Sequence, residues 1–201
     1  MANFGNHIIP IFQDDILTVK EYLTIAINVI FYHRWLNNNN YIEEQSNINK
    51  NISYIKIKDD SLDKEINNLL SQIDNYFPNQ NKFQITLNFY SRLVPQLYFF
   101  TKLEGLWEKW NFLIKISDNN STDKESKIRK FISTIIKELN SGKDFMPDIE
   151  LNDFENMNNI NNKGKYSNFP FEIKISTEFD QQSMLSIFKN MDIKNSFNKM
   201  I

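Results

Sequence analysis

The chain has 201 residues, a formal net charge of −2, 41% hydrophobic and 14% aromatic content, and no cysteine. That size and apolar content fit one domain with a packed core, and the near-neutral charge lacks the clustered basic excess by which proteins displace counterions from nucleic acid. Without cysteine there is no disulfide framework, no thiolate metal site and no cysteine nucleophile.

The opening residues, MANFGNHIIPIFQDD, lack a basic n-region and run into acid, so no secretory leader is expected. The most apolar stretch, Tyr22 to Leu36, is shorter than the ~20 residues of a membrane span and is broken by Asn28, His33 and Arg34. A cytoplasmic protein, not integral to a membrane, is the expectation. Asn and Ile are abundant while Gly (4) and Pro (5) are scarce, which reads as compositional bias. Asn-rich loops are therefore expected at about 37–51 and 143–168.

In chain order, His7–Phe12 suggests a short strand, confined to an edge by Pro10 because proline cannot donate to a ladder. Thr18-x-x-Glu21 has the form of a capping box opening the first helix. From Tyr22 to Trp35 that helix is apolar nearly all round, the mark of a helix buried between layers. Asn28 inside it is expected to bond neighbouring backbone, and His33 and Arg34 fall where a helix dipole favours positive charge. Ile52, Tyr54, Ile55 and Ile57 read as a strand ending at Asp59-Asp60. A helix then carries Leu62, Ile66, Leu69, Leu70, Ile73 and Phe77 on one stripe, closed by Pro78.

The stretch Phe83–Ile116 organises the rest. Phe83, Ile85, Leu87 and Phe89 alternate with Gln84, Thr86, Asn88 and Tyr90, the period of a half-buried strand. Trp110, Phe112, Ile114 and Ile116 form one face of a second arm, opposite Asn111 and Lys115, so the two predict an antiparallel pair. Between them, a protruding loop over 91–106 carries Leu93, Val94, Leu97, Tyr98, Phe99, Phe100, Leu103 and Leu106. Connections are normally polar, so this loop either folds into the core or presents a contact surface. Gly105 reads there as a turn residue.

Thr122-x-x-Glu125 predicts the start of a third helix with Ile128, Phe131, Ile132, Ile135, Ile136 and Leu139 on one face and Gly142 beyond its end. Lys127, Arg129, Lys130 and Lys137 on the other face read as solvated surface rather than a binding patch. Phe145-Met146-Pro147 is expected to dock on the body. Phe171, Ile173 and Ile175 predict a last strand, and Met184, Ile187, Phe188 and Met191 a short final helix. Helices separated by hairpin-type strands, without regular βαβ alternation, predict an α+β fold: a mainly antiparallel sheet with three main helices packed on it.

No catalytic constellation assembles. His7 and His33 fit no metal-ligand spacing, the glycines form no phosphate-cradling loop, and the paired acids Asp14-Asp15 and Asp59-Asp60 stand at helix entrances, where carboxylates belong anyway. The expectation is a protein without cofactor, metal or enzymatic activity.

The ordered set of segments resembles the autophagy-related protein 101 family, HORMA-domain subunits of the autophagy-initiation kinase complex. The resemblance runs through the helix ending at His33-Arg34, Tyr54-Ile55-Lys56-Ile57 and the Leu62–Phe77 helix, then Leu87-Asn88-Phe89-Tyr90. It continues in Trp107-Glu108-Lys109-Trp110, Phe145-Met146-Pro147 and Pro170–Ile175. It implies a single HORMA-like domain over residues 1–201 that pairs with the HORMA domain of autophagy-related protein 13. It also implies recruitment to the preautophagosomal structure on induction of autophagy. In that family the loop between the two long strands bears an exposed Trp and Phe, two residues apart, that recruit downstream autophagy factors. Counting back from Trp107 sets Tyr98 and Phe100 at those positions, with Phe99 between them, so Tyr stands where the family has Trp. His33 and Arg34 are candidates for part of the heterodimer contact.

Two other readings compete. A HORMA adaptor of the checkpoint or meiotic kind would wrap a bound peptide with its C-terminal segment, for which little chain follows Ile175. A peripheral membrane binder would insert Leu97–Phe100, but Arg92 and Lys102 are the only cations of that loop.

Overall fold

The computed structural model describes residues 5–34, 41–76, 81–96, 100–116, 123–141 and 170–177. The elements are β1 (Gly5–Asp14), α1 (Ile16–Arg34), β2 (Tyr41–Gln45), β3 (Ser53–Ile57), α2 (Asp60–Tyr76), β4 (Lys82–Gln96), β5 (Phe100–Ile116), α3 (Lys124–Ser141) and β6 (Phe171–Ser176). Four strands make one sheet in the order β1-β5-β4-β6, and β2 pairs with β3 in a separate hairpin. β4 runs antiparallel to β5 and β6, while β1 joins β5 in parallel, so the fold is α+β with a mainly antiparallel sheet. β1 stands at the edge, as Pro10 requires.

Register explains where the core lies. Successive residues of a strand face opposite sides, so the pairings align His7, Ile9 and Ile11 of β1 with Trp110, Phe112 and Ile114 of β5. These continue into Leu87, Ile85 and Phe83 of β4, and Phe171, Ile173 and Ile175 of β6 complete the stripe. Phe83, Ile85, Leu87, Trp110, Phe112 and Ile114 are fully buried. Each such side chain contributes about 1.5–3 kcal/mol relative to exposure.

Helix α1 lies on this face: Phe31 meets Phe89 at 5.2 Å and the edge of Phe171 at 4.7 Å between ring centroids. Its opposite flanks hold α3, through stacking of Tyr22 on Phe131 at 4.6 Å, and β3. A helix enclosed this way needs apolar residues all round, which its sequence supplies. Asn28, one of its buried polar residues, donates to Thr24 O at 2.9 Å and accepts from Ile57 N at 3.1 Å, the backbone role expected of it. In α3, Ile128, Phe131, Ile135 and Leu139 are buried. Ile132 is half-buried and Ile136 is exposed, so its apolar stripe is narrower than the sequence suggests.

Four expectations need correction. The first helix starts earlier than Thr18: Asp15 is its N-cap, accepting from Thr18 N at 3.0 Å and from the Thr18 hydroxyl at 2.8 Å. Glu21 is freed to accept from Asn47 N at 2.8 Å instead. α3 likewise opens on Asp123, which accepts from Ser126 N at 3.2 Å, and Glu125 turns to Arg129 and Asn49. α2 opens on Asp59, which accepts from Leu62 N at 2.8 Å, so aspartate caps all three described helices. Second, the span 37–51 is not loop throughout, because Tyr41–Gln45 forms β2, a strand too short and too polar to show alternation.

Third, the span 91–106 is not a loop over most of its length. Pairing continues from Arg92↔Glu104 to Gln96↔Phe100, leaving residues 97–99 as the connection. A strand pair supplies its own hydrogen bonds, so a long aromatic stretch can leave the sheet without the polar residues a loop requires. Fourth, Gly105 is inside β5. Its φ of 70° beside the register shift at Phe89/Tyr90 marks a bulge, a conformation that favours glycine. Residues 143–168, Phe145-Met146-Pro147 and the 184–191 helix lie outside the described residues.

Candidate functional site

Two places concentrate unusual chemistry: the distal part of the β4–β5 pair and the C-terminal end of α1. The β1 pairing starts at Gly5↔Glu108 on β5, and the β6 pairing ends at Phe89↔Phe171 on β4. Both limits fall at the bulge. Just beyond it Tyr90 N still donates to Pro170 O at 2.8 Å. From Arg92 on, among the described residues, β4 and β5 pair only with each other, as a two-stranded ribbon up to Gln96 opposite Phe100. Of the three tip residues, Phe100 opens β5 opposite Gln96, while Tyr98 and Phe99 lie outside the described residues.

At the end of α1 the neighbours His33 and Arg34 separate. His33 is exposed, with its ring 5.6 Å from Tyr32 in an edge contact. Tyr32 also meets Tyr41 of β2 edge-on at 5.2 Å, so the helix end and β2 share a small aromatic surface. Arg34 is only 4% exposed and turns inward. Its Nε donates to Glu108 Oε2 at 2.8 Å and its Nη2 to Glu108 Oε1 at 2.7 Å, a bidentate pair. The guanidinium also stands 5.9 Å over the Trp107 ring and reaches Leu139 O of α3 at 3.4 Å.

Glu108, with 0% exposure, is the hub of this cluster. Its Oε1 is also 3.2 Å from His7 Nε2, and the other ring nitrogen, Nδ1, is 3.2 Å from Glu138 Oε2 of α3. Trp110 stacks on the His7 ring at 4.1 Å. Burial pushes the Glu108 carboxyl up. The hydrogen bonds from Arg34 and His7 and their charges outweigh it, leaving the group below the usual carboxylate range. The cluster joins four elements, β1, α1, β5 and α3, at one end of the sheet.

Both Glu108 oxygens accept from the Arg34 guanidinium, and among the described residues no group of three ligating side chains could hold a metal. Two open grooves run along α3. One, of about 620 Å³, is lined by Asp123, Glu125, Ser126, Arg129, Lys130 and Ser133. The other, of about 400 Å³, lies against Ile52, Ser53, Ile132 and Ile136. Arg129 between them is engaged by Glu125 at 3.0 Å and Asn51 O at 3.1 Å, so it is a surface ion pair rather than a reaching cation.

The cluster was missed in the sequence although a signal was present. Glu108 is in phase with Trp110, Phe112 and Ile114, and His7 with Ile9 and Ile11. A charge on the apolar stripe of a strand needs a buried partner, and Arg34 at the end of an apolar helix was available to supply it.

Among the described residues no helix is long and apolar enough to cross a membrane. No curated protein matches the chain. A family model does: that of Autophagy-related protein 101, over residues 13–153, which is more than half of the chain.

Proposed function

This chain belongs to the autophagy-related protein 101 family, and from that premise we propose that it is a non-enzymatic adaptor of the autophagy-initiation kinase complex. An autophagy-related role follows from the membership itself. In our reading the domain is HORMA-like, pairs with the HORMA domain of autophagy-related protein 13, and recruits downstream factors through Tyr98, Phe99 and Phe100. It works in the cytoplasm and is drawn to the preautophagosomal structure when autophagy is induced. What supports this reading is the ribbon: β4 and β5 stay paired with each other past the ends of the β1 and β6 pairings, as far as Gln96 opposite Phe100, and the sequence puts Tyr98 and Phe99 between those two residues. A two-stranded arm costs the core little and carries contact residues away from it. Aromatic side chains there offer large area with few rotors to freeze, so two or three can dominate a weak interface.

For the heterodimer contact, exposed His33 is the direct candidate, set beside Tyr32 and Tyr41. Arg34 acts from inside, fixing the end of α1 through Glu108 rather than offering a free guanidinium. Co-purification from cells tests the adaptor reading, with the autophagy kinase and autophagy-related protein 13 expected to come down with the chain. Their absence from a complex that survives mild extraction would contradict it. For the contact, His33→Ala should weaken binding to the partner HORMA domain in calorimetry without lowering the melting temperature. Unchanged affinity removes His33 from the interface.

A further inference from the structure

The β2–β3 hairpin has two outer edges, and they are treated differently. Ser46 N donates to Ile52 O at 2.8 Å, in the same register that sets Glu44 opposite Tyr54 and Ile42 opposite Lys56. Antiparallel pairs alternate between hydrogen-bonded and non-hydrogen-bonded. Ile42 and Glu44 therefore direct their backbone groups at β3, while Tyr41, Glu43 and Gln45 point theirs away from it. The same alternation turns the Ile57 N–H away from β2, where Asn28 Oδ1 of α1 accepts it at 3.1 Å. Helix α1 thus closes the outer edge of β3. Among the described residues nothing pairs with the outer edge of β2.

Exposed edges in native proteins are usually blunted by proline, lysine or a bulge. β1 has Pro10; β2 has neither proline nor lysine. Tyr41 is 47% exposed and Ile42 36% exposed, on a strand whose only charges are Glu43 and Glu44. We propose that the β2 edge receives an extended segment of a partner protein as a third strand, with Lys or Arg alternating with β-branched or aromatic residues. Three outward N–H and C=O pairs in a row are what an added strand satisfies. Successive side chains of β2 face opposite sides. Glu44 is paired with Lys56 of β3 at 3.3 Å, whereas Glu43 accepts only from the neutral Ser53 hydroxyl among the described residues. The exposed Glu43 carboxylate therefore favours a basic neighbour on its face. A second copy of this chain would set glutamate against glutamate, so charge selects a different, basic occupant. Tyr41, held edge-on by Tyr32, supplies an aromatic shelf for an apolar side chain of the added strand. This surface belongs to a different sheet from the aromatic ribbon, so it stands or falls independently of the recruiting tip.

The test uses the full chain with two capped eight-residue probes, one alternating Val with Lys and one alternating Val with Glu. The Val–Lys peptide is expected to slow hydrogen exchange at the amides of Tyr41, Glu43 and Gln45, and the Val–Glu peptide is not. Glu43→Pro removes an outward N–H that the hairpin does not use, so it should lower affinity about tenfold or more with the fold retained. Glu43→Lys keeps that N–H and should shift preference towards the Val–Glu peptide, which guards against a proline variant that fails to fold. The proposal is overturned if the Val–Lys peptide leaves those three amides unprotected, or if neither variant changes binding. It is also overturned if the amides become protected without peptide as protein concentration rises, which would make the occupant a second copy.

Discussion

The two ends of the β4–β5 pair are built from one continuous hairpin and do different things. In the basal half, from Lys82 to Phe89 on β4 and Glu108 to Ile116 on β5, each strand has a second strand neighbour, and one face is enclosed under α1. In the distal half, from Arg92 to Gln96 on β4 and Phe100 to Glu104 on β5, the strands pair only with each other among the described residues. The boundary is physical. At the bulge Gly105 takes φ 70°, and just below it Glu108 is locked to Arg34 and His7. A hairpin can serve as core and as arm when an anchor at the boundary separates the two, so substitutions should cost stability on one side and recruitment on the other.

The sharpest way to break that separation is at the anchor. Glu108→Ala leaves the buried Arg34 guanidinium without its carboxylate and should cost about 3–5 kcal/mol. Urea denaturation measures this; a loss below about 1 kcal/mol would show that the cluster is not the anchor. At the bulge, Gly105→Ala places a Cβ against the Ser91 hydroxyl oxygen in a left-handed backbone region. A cost of about 1–3 kcal/mol is expected, read as a lower melting temperature. A neutral result would mean that the boundary yields easily.

Acid sharpens the same picture. Burial raises the Asp15 carboxyl, but hydrogen bonds from the Thr18 backbone and hydroxyl and from Lys124 prevail, bringing it from 3.8 to about 2. Its folded value lies below the unfolded one, so this stabilisation is full above about pH 4 and fades as pH falls towards 2. Glu108 acts in the same direction, its support being lost only as pH drops through its depressed value. Asp15→Ala should therefore cost about 1 kcal/mol at neutral pH, and the difference from wild type should shrink on acidification. A difference that does not change with pH would assign the effect to something other than the ionised cap.

Much of the fold was legible because its long elements repeat a period. The alternation of Phe83–Phe89 and Trp110–Ile116 set the central pair, and the stripes of α2 and α3 and the all-round apolarity of α1 set three helices. What escaped was decided by neighbours rather than by pattern. Five residues of β2 become a strand because β3 is there to pair with them. Asp15 displaces Thr18 as cap because its carboxylate reaches both Thr18 donors. The aromatic stretch near residue 98 was visible as an anomaly, but pairing from Arg92 to Gln96 with Phe100 to Glu104 is a cross-strand property that no local window contains. Of the candidate contact residues, His33 stands at the surface, and only the fold reveals that Arg34 faces inward to Glu108.

The most direct test replaces Tyr98, Phe99 and Phe100 together by alanine, then measures thermal melting, binding to the partner HORMA domain and recruitment of later autophagy factors in parallel. The account predicts a change in stability within about 0.5 kcal/mol, intact heterodimer formation and a sharp fall in recruitment and autophagic flux. A variant that unfolds first, with a loss near the 3–5 kcal/mol typical of a deleted core aromatic, or one that keeps full flux, would contradict it.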